Sequence, residues 1–318
     1  MQTIKETTGP DWKPGFIRVP RPQEQSMRVP DFAAKCIGFV AAMVEADATS
    51  EGYDLEGTGF FVGIPSKAAA PRSFFYFVTA KHVISSVPNG HIGLRVNLKG
   101  GGAVIRKPLL DQWFFHPSDP TADVAVVPFD MTRDLDLLSI PESIFLLPEA
   151  IKEKGIGFGD EVFIPGLFTY AFGEKRNTPI MRHGTIAMLP EDAVQTELGF
   201  MDAYLVEARS IGGLSGSPAF ARRTMSIQWN DDPKQVRALH GLTGELFLLG
   251  MVHGHWDVKE SDLNQPRFVH DRKLGVNSGI GIVIPAIKIL ETIHHPLLEQ
   301  NRAAAEEMYR LGIMPKMD

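Results

Sequence analysis

Cysteine is almost absent: Cys36 is the only one in 318 residues, which excludes an intrachain disulfide. The fold is therefore expected to rest on an apolar core, in a compartment that keeps thiols reduced. Long apolar runs are also missing. The opening residues, Met1-Gln2-Thr3-Ile4-Lys5-Glu6-Thr7, form no apolar leader, and nothing later is long enough to span a bilayer. These absences point to a soluble cytoplasmic protein with no membrane partner. Excess positive charge is lacking too, because 32 Lys and Arg face 38 Asp and Glu, a formal charge of −6. A chain of that sign has no general attraction to a phosphate backbone, so no nucleic-acid partner is expected.

What is present is an ordinary globular composition, 44% hydrophobic and 22% charged. Residues 1–32 read as an extended arm, since Pro10, Pro14, Pro20, Pro22 and Pro30 prevent long helices and discourage strand pairing. From residue 33 short apolar stretches alternate with turn residues. Ile37–Val44, Gly57–Ile64, Phe74–Thr79, His91–Leu98, Val104–Arg106 and Asp123–Phe129 make a first series of strands. Glu161–Ile164, Met181–Met188, Ala203–Ala208, Ser217–Phe220, Leu246–His253 and Gly279–Ile284 make a second. No regular alternation with long helices interrupts them, so the expected class is all-β. Two antiparallel six-stranded barrels, over 33–140 and 141–285, are the simplest packing. Residues 286–318 change to helical spacing, and Pro296 is expected to divide them into a helix to 294 and another from 299. The stretch 222–240 has little apolar patterning and reads as an exposed loop. The arm and the tail are the candidate contacts for a homo-oligomer.

Three short segments carry candidate chemistry. Arg209-Ser210-Ile211-Gly212-Gly213-Leu214-Ser215-Gly216-Ser217-Pro218 places a hydroxyl among glycines that permit positive φ and close backbone approach. Ser215 would be a nucleophile there, with its N–H and that of Gly213 turned toward a developing oxyanion; a generic Gly/Ser turn has the same composition. A serine hydroxyl needs activation, and His82, at the end of an apolar strand, is the candidate base. Asp123 opens the apolar run Asp123-Val124-Ala125-Val126-Val127, where an unpaired charge would be costly, and pairing with His82 would satisfy it. Asp119 and Asp130 are its rivals. The pair His253/His255 hints at a metal, but no third ligand stands in a recognised spacing, so no metal and no cofactor are expected.

Thr79-Ala80-Lys81-His82-Val83, Asp123-Val124-Ala125-Val126-Val127 and Gly213-Leu214-Ser215-Gly216-Ser217-Pro218 resemble, in that order, the histidine, aspartate and serine motifs of the trypsin-like serine peptidases. Gly57-Thr58-Gly59-Phe60 is similar to the strand before that histidine, and the resemblance spans about 35–290. Lys81 and Ser217 depart from the usual small residues, and the lack of disulfides resembles an intracellular bacterial or viral type. The resemblance implies a double barrel and a serine endopeptidase with catalytic residues His82, Asp123 and Ser215, an oxyanion hole at Gly213 and Ser215, and a polypeptide substrate. It further implies a substrate-binding cleft lined by Arg209, Ser210, His253 and Gly254. The competing readings are a catalytically silent or latent peptide-binding or scaffolding protein on the same fold, and an esterase using the same site.

Overall fold

The computed structural model describes residues 29–47, 50–196, 198–208, 212–224, 226–229, 236–239, 245–259 and 275–313. The arm proposed for residues 1–32 therefore lies outside the described residues up to 28.

The N-terminal half is built from β1 (Ile37–Asp47), β2 (Ser50–Pro65), β3 (Ser73–Ala80), β4 (Ile92–Asn97), β5 (Ala103–Arg106), β6 (Phe114–Phe115), β7 (Val124–Pro128) and β8 (Ile140–Pro141). A four-residue helix, α1 (Phe32–Lys35), precedes β1, and α2 (Lys81–Ser85) follows β3 directly. Neighbouring side chains on a strand point to opposite faces, yet Phe60, Phe61, Val62, Phe77, Val78 and Val124–Val127 are all buried. These strands are covered on both faces, and their unbroken apolar runs, rich in aromatic and β-branched residues, have this origin. Gly59 is required by the same packing: a Cβ there would lie 2.1 Å from the Phe77 ring on the paired strand.

The strands form one eight-stranded sheet in the order β5-β4-β1-β2-β3-β7-β6, with β8 beside β2. Among the described strands no ladder joins the terminal β5 and β6, so the expected first barrel is corrected to an open sheet. The segment between those strands supplies the reason. Pro108 lacks an N–H, and Leu110–Gln112 forms a 3-10 turn that leaves only two residues for β6.

The second half does close. A short helix, α3 (Pro148–Lys154), leads into β9 (Glu161–Gly166), β10 (Ile180–Met188), β11 (Val194–Thr196), β12 (Gly199–Met201), β13 (Tyr204–Glu207), β14 (Pro218–Arg222), β15 (Ser226–Trp229), β16 (Val236–Leu239), β17 (Leu246–Lys259) and β18 (Gly275–Pro285). β10-β13-β18-β17-β14-β9 is a closed barrel, while β11-β12 and β15-β16 are separate two-stranded hairpins. The architecture is thus one six-stranded barrel beside an open sheet, and two barrels of the trypsin-like type are not formed. The expected loop at 222–240 contains the β15-β16 hairpin.

One apolar core runs through both halves, from Phe60, Phe77 and Val126 in the sheet to Phe163, Phe220, Leu248 and Ile284 in the barrel. The chain then forms α4 (Ala286–Ile293) and α5 (Pro296–Arg310), which bury Ile289, Ile293 and Leu298 in that core. Pro296 begins α5, where its missing N–H costs nothing, so the second helix starts three residues earlier than the sequence reading placed it. No helix among the described residues is long and apolar enough to cross a membrane.

Candidate metal centre

Asp123 is the centre of the site. It precedes the buried β7 and is 1% exposed. Its backbone carbonyl accepts the Lys81 N–H at 3.2 Å, fixing the start of α2 against the head of β7. One carboxylate oxygen, Oδ1, accepts the backbone N–H of His82 at 2.8 Å. The other, Oδ2, lies 2.5 Å from Nδ1 of His82 and 2.5 Å from Nδ1 of His253, which comes from the middle of β17. The two rings meet edge to face, with centroids 5.4 Å apart. Exposure is graded across the set: the His82 side chain is 42% exposed, that of His253 17% and that of Asp123 1%. Burial by itself would push the Asp123 carboxyl up. The hydrogen bonds from His253 and His82, together with their charge, outweigh burial and bring it down to about 2.

The ligand atoms of His82, Asp123 and His253 lie within 4.8 Å of one another. Two imidazoles and a carboxylate form a nitrogen and oxygen donor set that zinc-class cations take, and three protein ligands leave a position for water or another ligand. Along the sequence the His253/His255 pair has no third ligand in a recognised spacing. The structure supplies one in Asp123, 130 residues from His253 in the chain, and pairs it with His82 rather than His255.

Ser215 stands on a tight turn before β14, and Thr58 makes two of the hydrogen bonds that hold it. The Thr58 N–H donates to the Ser215 carbonyl at 2.9 Å, and its hydroxyl donates to the Gly213 carbonyl at 2.7 Å. Gly216, with φ of +83°, is needed because a Cβ would lie 2.0 Å from the Thr58 carbonyl oxygen. The Ser215 hydroxyl donates to the main-chain carbonyl of His253 at 3.1 Å. Among the described residues no serine hydroxyl is hydrogen-bonded to the His82 or His253 ring. The expected Ser-His-Asp triad is therefore corrected: Asp123 joins two histidines, and Ser215 is tied to backbone instead of a base. Acyl transfer by a serine peptidase loses its proton acceptor with that correction.

The remaining expected site residues divide. Gly213, with φ of +99°, shares the turn with Ser215. Gly254 pairs with Ile282 and has open space where a side chain would project. Arg209 and Ser210 lie outside the described residues. His253, expected to line a substrate cleft, turns its ring onto Asp123. The rivals also separate, since Asp119 is bound by Lys288 and Thr121. A carboxylate at the head of a buried strand has more acceptor capacity than one imidazole fills, which calls for a further donor without saying which residue supplies it.

No protein-family model matches the chain, and no curated protein matches it.

Proposed function

We propose that this chain is a catalytically silent binding protein that holds a divalent cation of the zinc class on His82, Asp123 and His253. The observation carrying this reading is one buried carboxylate oxygen shared by two imidazole nitrogens from separate elements, each at 2.5 Å. Such a set is costly to collect for structure alone, because a buried charge and two ring nitrogens must all be satisfied together. Without a cation, ring protons bridge the nitrogens to the carboxylate. A cation ligated at those atoms displaces the protons: a neutral ring carries its own over to Nε2 and a doubly protonated ring loses one to solvent, so acid competes with binding. Binding of an extended peptide beside the same residues fits a module without turnover, and Gly254 leaves room there.

Isothermal titration with zinc chloride tests the reading. The expected result is one site per chain, with affinity falling about 100-fold or more in His253→Ala and in Asp123→Asn. An unchanged affinity in both variants, or no uptake by the intact chain, contradicts it. Running the titration in two buffers of different ionisation heat counts the protons released.

A further inference from the structure

A cavity of about 310 Å³ opens where the N-terminal sheet fails to close, lined by Leu94, Arg106, Lys107, Gln112, Pro128 and Phe129 among others. Leu94 belongs to β4, Arg106 ends β5 and Pro128 ends β7. Strands from the two ends of the sheet order thus share one cavity, and the segment linking β5 to β6 contributes Lys107 and Gln112. Asp123 precedes the other end of β7, so five strand residues, roughly 16 Å, separate this cavity from the histidine cluster.

The lining is divided by chemistry. Leu94 is 1% exposed, and Phe129 packs its ring on Phe61 at 4.7 Å, so both surfaces are fixed by the core behind them. Arg106 and Lys107, consecutive at the end of β5, line the cavity together with one carboxylate, Asp130. The ion pair from Arg106 to Asp134 spans 3.7 Å between side chains that are 43% and 56% exposed, which is too long for a hydrogen bond. The guanidinium fork therefore keeps donors for another acceptor. Arg106 and Lys107 are the two cations of the lining, and Asp130 is its one carboxylate. The volume is at the lower end of the range for small-molecule sites.

We propose that this seam cavity binds a short organic carboxylate, its apolar body on Leu94 and Phe129 and its carboxylate on Arg106 and Lys107. Octanoate is the probe, titrated into protein with carbon-13 leucine methyl groups and followed by NMR. The expected result is a saturable shift of the Leu94 methyl signals with octanoate, and none with octylammonium or acetate at equal concentration. The double variant Arg106→Gln, Lys107→Gln changes exposed side chains only and should weaken octanoate about tenfold or more. Asp130→Asn, which removes the opposing charge, should tighten it. No saturable shift of Leu94 at millimolar octanoate, equal binding of octylammonium, or unchanged affinity in the double variant overturns the proposal. Acetate binding as well as octanoate overturns the role given to the apolar floor.

Discussion

At the scale of single residues, Ser215 and Ser217 show how a serine's neighbours decide its chemistry. Ser215 donates its proton to a backbone carbonyl and meets no base among the described residues, so a broad fluorophosphonate probe should leave it unlabelled in the folded protein. Intact-mass analysis after incubation checks this, and one adduct mapped to Ser215 would restore an activated nucleophile. Ser217 is fully buried and its hydroxyl has no hydrogen-bond partner among the described residues. Ser217→Ala removes an unpaired polar atom and should raise stability by about 1 kcal/mol in urea unfolding, whereas a loss of that size would show an uncounted partner. His82 and Asp123 were legible as partners because a carboxylate opening a buried apolar strand must be satisfied, and a histidine just past the end of another apolar strand can do so. His253 was not legible as the third member. Its link to Asp123 crosses 130 residues and both halves of the fold, and no local spacing encodes that approach.

At the scale of elements, the loop from β9 to β10 is stitched to the N-terminal sheet by a buried arginine. Arg95 is 3% exposed and donates to Asn177 Oδ1 at 2.6 Å, the Gly173 carbonyl at 3.0 Å and the Glu174 carbonyl at 2.7 Å. Asn177 answers with its side-chain amide on the Arg95 carbonyl at 2.6 Å, and Asn97 closes the ring from the same strand. Arg95→Met leaves these acceptors unpaired in a buried place and should cost about 3 kcal/mol, with hydrogen exchange at the Asn177 amide accelerating more than exchange in β9. Equal acceleration in both would mean that the loop has no separate anchor. The strands themselves were readable from apolar runs and turn residues, because both signals are local. Closure was not. It depends on whether two edges present matching peptide groups, and a proline and a 3-10 turn between β5 and β6 remove that match. The β15-β16 hairpin was missed for a related reason, since its segment carries little apolar alternation, and Pro296 was read as a break although a helix start tolerates it.

At the scale of the whole molecule, α4 joins the two halves through charge as well as packing. Lys288 donates to Asp119 at 2.7 Å, and the carboxylate also accepts the Thr121 hydroxyl and N–H. Partial burial alone would raise the Asp119 carboxyl, but the Lys288 and Thr121 hydrogen bonds overcome it and hold the group well below the usual range. A carboxyl lowered by folding adds stability above its unfolded value of about 4, and that contribution disappears as pH falls through the folded value. Lys288→Met should therefore be less stable at pH 7, with the difference shrinking as pH falls below about 4. A difference independent of pH in denaturant titrations would assign the loss to packing instead. The central claim concerns what the shared carboxylate and its two histidines hold, and it is tested most directly by crystals grown with zinc and measured on both sides of the zinc absorption edge. The expected result is an anomalous peak within ligand distance of His82, Asp123 and His253; a clean map there, with both rings still hydrogen-bonded to Asp123, would contradict the assignment.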